Sequence, residues 1–165
     1  MIQVYDNLFD IKTVNQIYEE CKSLTYVIGE TDIPTHPPTG QIVELEQHSP
    51  MVQIINEKVQ HFVSLYNYKM HRAYSNKFLP GENPYFHIDG ARSLTAIYYC
   101  NTEIGFKNIS KLDEGGETQF YNKDRDEVFG VLPYTGRLII FDGELYHRGT
   151  SFRTLDRYNI VIKYK

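Results

Sequence analysis

The sequence has no tryptophan, only two cysteines, no excess of basic residues and no long apolar run. Each shortage excludes a class of protein. Cys21 and Cys100 cannot build a disulfide framework, and neither stands in a C-x-x-C zinc spacing. A net charge of −4 leaves nothing to neutralise a phosphate backbone, so nucleic acid is not an expected partner. No stretch of about 18 apolar residues is present, so no membrane span is expected. Residues 1–10 hold neither a basic start nor an apolar run, and no signal peptide is expected. The expectation is a soluble domain of a reducing compartment, hence cytoplasmic.

What is present is a globular composition. The 165 residues suit one domain, with 41% apolar and 23% charged residues. A chain of this size buries about 68–70% of its unfolded surface and needs no covalent staple. Aromatic bulk comes from 14 tyrosines and 9 phenylalanines, so many buried rings carry a hydroxyl that needs a partner.

The spacing of Ile11, Val14, Ile17, Tyr18, Cys21 and Leu24 predicts a helix capped by Asp10. Residues 29–50 read as a polar loop punctuated by Gly29, Pro34, Pro37, Pro38, Gly40 and Pro50. Ser49-Pro50 then opens a second helix with the stripe Val52, Ile55, Val59, Phe62, Val63 and Tyr66. Beyond Lys69 short strands are predicted at 69–75, 84–89, 93–100, 117–121, 127–132, 137–141, 144–148 and 157–164. Asp142-Gly143 is a two-residue hairpin signal. The expected fold is mainly β with N-terminal helices (α+β), a jelly roll or double-stranded β-helix with helices packed on the major sheet. Residues 1–165 form one domain, with 1–68 as helical support and 69–165 as the jelly-roll core.

The chemistry concentrates in the second half. His87 and Asp89 stand at i and i+2, which on a strand places both side chains on one face. His147 follows the Asp142-Gly143 turn. Two histidines and a carboxylate make the facial triad of non-haem Fe(II) sites, although zinc accepts the same donors. Arg157 opens the last strand ten residues later. It shares a face with Asn159 and Val161, while Tyr158, Ile160 and Ile162 fill the other. A buried arginine there needs an anion, and its fork suits a carboxylate. Arg153 is the rival clamp. His36, His48, His61 and His71 have no ligand partners at useful spacing, and Cys100 is read as a small buried apolar residue.

At these positions the sequence resembles the Fe(II)- and 2-oxoglutarate-dependent oxygenases, over about residues 70–165. The likeness is strongest to their prolyl-hydroxylase branch, the prolyl 4-hydroxylases and the oxygen-sensing prolyl hydroxylases of animals. It is carried by Tyr74, Pro80-Gly81, Tyr85, His87-Ile88-Asp89, the run Arg92 to Asn101, and Gly115-Gly116-Glu117-Thr118. Pro133, the run Gly136 to Phe141, His147 and Arg157-Tyr158 complete the series in order.

The resemblance implies a dioxygenase that hydroxylates a prolyl residue in a peptide or protein while 2-oxoglutarate is decarboxylated to succinate. It implies His87, Asp89 and His147 as iron ligands and catalytic centre. Arg157, Tyr99 and Tyr74 are implied to bind 2-oxoglutarate, and Arg92 and Tyr85 to bind substrate. Fe(II), 2-oxoglutarate and O₂ are expected, with ascorbate as an accessory reductant. Lys163 stands where the nearest relatives carry a tryptophan, and the connection 101–115 is short. Two other readings stay open. One is a hydroxylase of a free amino acid or other small metabolite. The other is a metal-binding jelly roll without turnover.

Overall fold

The computed structural model describes residues 1–105 and 113–165. The connection 101–115, read as short, falls partly on residues outside that description. Two antiparallel sheets face each other. The larger has the order β1-β8-β5-β10-β4-β3-β2 and the smaller β7-β6-β9. In chain order these are β1 Ile2–Tyr5, β2 Val27–Ile28, β3 Gln41–Glu44, β4 Met70–Phe78 and β5 Leu94–Tyr99. There follow β6 Thr118–Asn122, β7 Glu127–Val131, β8 Leu138–Asp142, β9 His147–Gly149 and β10 Arg157–Tyr164. This is the expected double-stranded β-helix.

Both helices form for the reasons the spacing suggested. Helix α1 spans Ile11–Ser23, and the Asp10 carboxylate accepts the Thr13 N–H at 2.8 Å. Its buried stripe is Val14, Ile17, Tyr18 and Cys21, whereas Ile11 is exposed. Helix α2 spans Pro50–Ser64 with proline in the first turn. Ser49 occupies the cap position, yet its hydroxyl makes no capping bond. Tyr66 lies past the helix end and stacks between Phe62 and Tyr68. No helix among the described residues is long and apolar enough to cross a membrane.

The period-2 alternation of the large sheet divides the interior in two. One face carries Ala96, Tyr98, Leu138, Ile140, Ile160 and Ile162, packed on Ile17, Cys21, Val52, Ile55 and Val59 of the helices. The opposite face carries Tyr74, Ile97, Tyr99, Ile139, Phe141 and Val161, and meets Phe120 of the small sheet. Helices thus seal one side, and the other side is left to build a site. Buried tyrosines behave as amphipathic rings: Tyr18 donates to Glu103, Tyr164 to Asn56 and Tyr99 to Thr118. The Tyr98 hydroxyl differs: it is buried without a partner among the described residues. Cys100 is fully buried on the helix side with its sulfur 3.6 Å from that of Cys21, and both thiols are free.

Three expectations need correction. Residues 84–89 form no strand, and His87 alone makes an isolated bridge, to His147. Three strands, β1, β2 and β3, lie within residues 1–68, which read as helix and loop. Asp142-Gly143 does not close a hairpin, because β8 belongs to the large sheet and β9 to the small one. The turn is a crossover between sheets. Gly143 packs closely there: a Cβ would displace Ser93 Oγ, which donates to the Gly90 carbonyl.

Candidate active site

Strand pairing places the site residues before any side chain is considered. Across the large sheet Val161 lies between Tyr74 and Ile97, and Asn159 between Asn76 and Tyr99. Lys163 lies between Arg72 and Thr95, and Arg157 is opposite Phe78. From the other side, β9 and the bridge at His87 bring the imidazoles over this floor. The His87 and His147 backbones exchange hydrogen bonds of 3.0 and 2.9 Å. Asp89 follows because its N–H donates to the Gly143 carbonyl at 2.8 Å.

The structure therefore brings His87, Asp89 and His147 together, with candidate ligand atoms all within 4.8 Å of one another. Both rings are oriented by the same device. His87 Nδ1 sits 3.0 Å from the Tyr85 carbonyl, and His147 Nδ1 sits 2.8 Å from the Leu145 carbonyl. An Nδ1–H that donates to a carbonyl leaves the Nε2 lone pair free for a metal. Both Nε2 atoms face Asp89, at 3.7 and 3.6 Å. Burial pushes the His147 imidazole down to about 4, against the pull of Asp89, so the ring is neutral and able to ligate. Burial alone would raise the Asp89 carboxyl. Attraction to the neighbouring His147 ring and to the Lys163 ammonium, with hydrogen bonds from Lys163 and Thr95, outweighs it and holds the group below its ordinary value.

Arg157 lies at the far end of the same cavity. It is 1% exposed. Its Nε donates to the Gly116 carbonyl at 2.8 Å, Nη2 approaches Thr118 Oγ1 at 3.5 Å, and Nη1 is buried without a partner among the described residues. The guanidinium lies 5.5 Å from the Phe78 ring and 5.4 Å from the Tyr99 ring. Burial lowers its proton affinity, opposed chiefly by Tyr99. Gly116 presents its carbonyl from a left-handed backbone (φ 81°), where a Cβ would strike the Phe152 ring. Arg153, the rival clamp, is exposed in the loop before β10.

The other expected residues divide. Tyr74 lines the cavity, and burial, followed by the Asp89 charge, raises its hydroxyl well above the ordinary value. Tyr99 is 1% exposed and stands one layer back, its hydroxyl donating to Thr118 Oγ1 at 2.7 Å. Tyr85 is outside the lining and packs its ring on His36, with centroids 4.1 Å apart. Arg92 is exposed, with φ 53°, in a separate groove beside Met1, Tyr66, Tyr68 and Glu144.

Thr118, Asn159 and Asp32 are among the cavity residues that had no assigned role in the sequence. Thr118 links Tyr99 to Arg157. Asn159 lines the cavity with its Oδ1 buried and without a partner among the described residues. Asp32, from the segment between β2 and β3, stands 3.5 Å from His87 Nδ1 and accepts the Tyr85 N–H at 3.0 Å. The place of Asn159 on the Arg157 face was the one available signal. Asp32 is 55 residues from His87 in sequence, and no local pattern connects them.

Comparison with known proteins agrees with this fold. No curated protein sequence matches the chain. A prolyl hydroxylase from Trichoplax adhaerens, solved with a hypoxia-inducible-factor oxygen-degradation-domain peptide, superposes with a TM-score of 0.73 at 18% identity, over 99% of this chain and 82% of that one. A Pseudomonas putida prolyl-4-hydroxylase gives 0.75 at 15% identity, over 99% and 91%. HygX from Streptomyces hygroscopicus, solved with nickel and 2-oxoglutarate, gives 0.70 at 12% identity, over 99% and 82%. At these identities the likeness is one of fold. The sequence profile of the 2OG-Fe(II) oxygenase superfamily matches residues 58–164, and the chain belongs to that superfamily.

Proposed function

We propose that this chain hydroxylates a prolyl residue in a peptide or protein, consuming 2-oxoglutarate and O₂ at an Fe(II) held by His87, Asp89 and His147. The observation that carries the oxygenase reading is Arg157: a buried guanidinium whose Nη1 has no partner among the described residues, across one cavity from a His-Asp-His cluster. The residues fit the groups they would hold. Two imidazole nitrogens and one carboxylate suit Fe(II) with positions left open. The orphaned Nη1 suits the distal carboxylate of 2-oxoglutarate. Bound there, the iron would supply the redox chemistry that couples decarboxylation of 2-oxoglutarate to oxygen insertion into a C–H bond.

The chain's own part is orientation and exclusion of water. The carbonyls of Tyr85 and Leu145 aim the two rings. Arg157, Thr118 and Tyr99 fix the distal end of the co-substrate, and Ile97, Val161 and Tyr74 give the cavity an apolar middle. Thr118→Val tests that relay. It would leave the Tyr99 hydroxyl buried without an acceptor, a cost of about 1–3 kcal/mol. The 2-oxoglutarate concentration for half-maximal turnover should rise roughly tenfold. Metal affinity should not change, and an equal loss of both would assign Thr118 to packing only.

Support for prolyl specificity comes from the run Arg92 to Asn101 and from the fold shared with two prolyl hydroxylases. One observation favours a small substrate instead. The cavity is only about 80 Å³, and Gly29, Glu30, Asp32 and Thr39 of the β2–β3 segment line it. Mass spectrometry separates the two. Enzyme, Fe(II), ascorbate and 2-oxoglutarate would be incubated with proline peptides, the same peptides with alanine in place of proline, and free amino acids. Gain of one oxygen only in the proline peptides is expected. Gain in free proline or another metabolite, with the peptides unmodified, would move the chain to the small-substrate class.

A further inference from the structure

The Asp89 side chain is 4% exposed, and a carboxylate so far removed from water needs compensating charge. Two cross-strand neighbours meet it. Thr95 on β5 donates its hydroxyl to Oδ2, and Lys163 on β10 places Nζ 2.8 Å from Oδ1. Lys163 and Thr95 are opposite one another in the register. The lysine side chain is itself 17% exposed and lies over the Tyr74 ring, 5.6 Å from its centre. Glu30 and Glu44, the acids near that edge, are held by Arg72. The Lys163 charge is therefore committed to Asp89.

We propose that Lys163 is a positioning residue that shares Asp89 with the metal: it fixes the carboxylate for ligation and keeps metal affinity below what the two histidines and the carboxylate would give alone. The proposal rests on the reading of His87, Asp89 and His147 as the metal site. Its physics is competition between cations for one anion. A charge within about 4–6 Å changes a carboxylate's affinity for a proton by roughly ten- to a thousandfold, and a divalent ion meets the same repulsion. Pairing of β10 on both sides, to β4 and β5, holds the Lys163 backbone beside Asp89. A second consequence concerns folding. With Lys163 in place the buried Asp89 charge is balanced whether or not metal is bound. Without it, metal becomes the main counter-charge, and stability depends on metal more steeply.

The test is titration of the full chain, treated with chelator, with Mn(II), together with thermal unfolding with and without that ion. Lys163→Met keeps the aliphatic stem and removes the charge. Its Mn(II) dissociation constant should fall about tenfold or more, and the Tm gain on adding Mn(II) should exceed that of the wild type. Lys163→Arg keeps a cation and should bind as the wild type does. If Lys163→Met does not fold, Lys163→Gln retains a donor for Asp89 and should show the same tightening. Affinity equal to or weaker than wild type in the neutral variants overturns the proposal and leaves the metal site standing. Wild-type protein that binds Mn(II) no better than His147→Ala overturns the metal site and the proposal with it.

Discussion

His147→Ala is expected to abolish 2-oxoglutarate turnover and metal binding in a protein that still folds. The imidazole is one of three candidate donors, and its Nε2 is aimed by the bond from Nδ1 to the Leu145 carbonyl. Loss of a group that merely orients a ligand costs about 10–100-fold in affinity, so loss of the ligand itself should exceed that range. The fold should survive for two reasons. The bridge between residues 87 and 147 is made by backbone atoms and does not need the ring. Truncating one buried side chain beside Phe141 and Phe120 costs roughly 0.5–3 kcal/mol, against about 5–15 kcal/mol for a domain. Circular dichroism melting and a Mn(II) titration check both halves. Undiminished turnover in this variant would remove the triad from the site.

The parts of the fold legible in the sequence are those set by local periodicity. Strand β10 is the clearest case. Its alternation predicts Arg157, Asn159 and Val161 on one face and Tyr158, Ile160 and Ile162 on the other. The structure places the first set in the cavity and the second under the helices. What was hidden depends on pairing between distant segments. β3 is a four-residue strand inside a Pro- and Gly-punctuated stretch, and it exists because residues 41–44 pair with 74–77 of β4. β1 is equally short and is held by β8, more than 130 residues away. Asp142-Gly143 illustrates the limit of turn chemistry. The dipeptide marks a reversal correctly, but which strands it joins is decided by the sheets on either side.

The site follows the same division. Its metal-ligating types announce themselves by chemistry, and His87, Asp89 and His147 do converge, though not through the strand first expected at 84–89. The convergence instead uses backbone bonds from residues 87 and 89 to residues 147 and 143. Thr118, Asp32 and Lys163 gain their roles only from what they touch: a tyrosine hydroxyl, an imidazole nitrogen and a buried carboxylate. Each belongs to a residue type that is usually exposed, so nothing in composition distinguishes it. Arg92 shows the converse. A resemblance nominated it, and the structure leaves it exposed in another groove.

Arg157→Ala should raise the 2-oxoglutarate requirement about 30-fold or more, since removing one partner of a buried charge pair costs roughly 2–5 kcal/mol and ~1.4 kcal/mol is tenfold. The expected partner is the distal carboxylate of 2-oxoglutarate, because among the described residues no acidic side chain forms an ion pair with this guanidinium. That imbalance also separates a binding role from a structural one. A buried cation without an anion lowers stability, so replacing it by an apolar residue of similar length should not destabilise the fold. Arg157→Met, which keeps the stem between Phe78 and Tyr99, should melt no lower than the wild type in the absence of 2-oxoglutarate. The rise in Tm on adding 2-oxoglutarate should be present in the wild type and absent in the variant. Arg153→Ala is the control: the residue is exposed, and its backbone N–H bond to the Glu114 carbonyl does not depend on the side chain. If Arg153→Ala raised the 2-oxoglutarate requirement and Arg157→Met did not, the clamp would have to be moved into the loop before β10. If both left it unchanged, the buried guanidinium would be a packing element and the cavity would bind its co-substrate by other means.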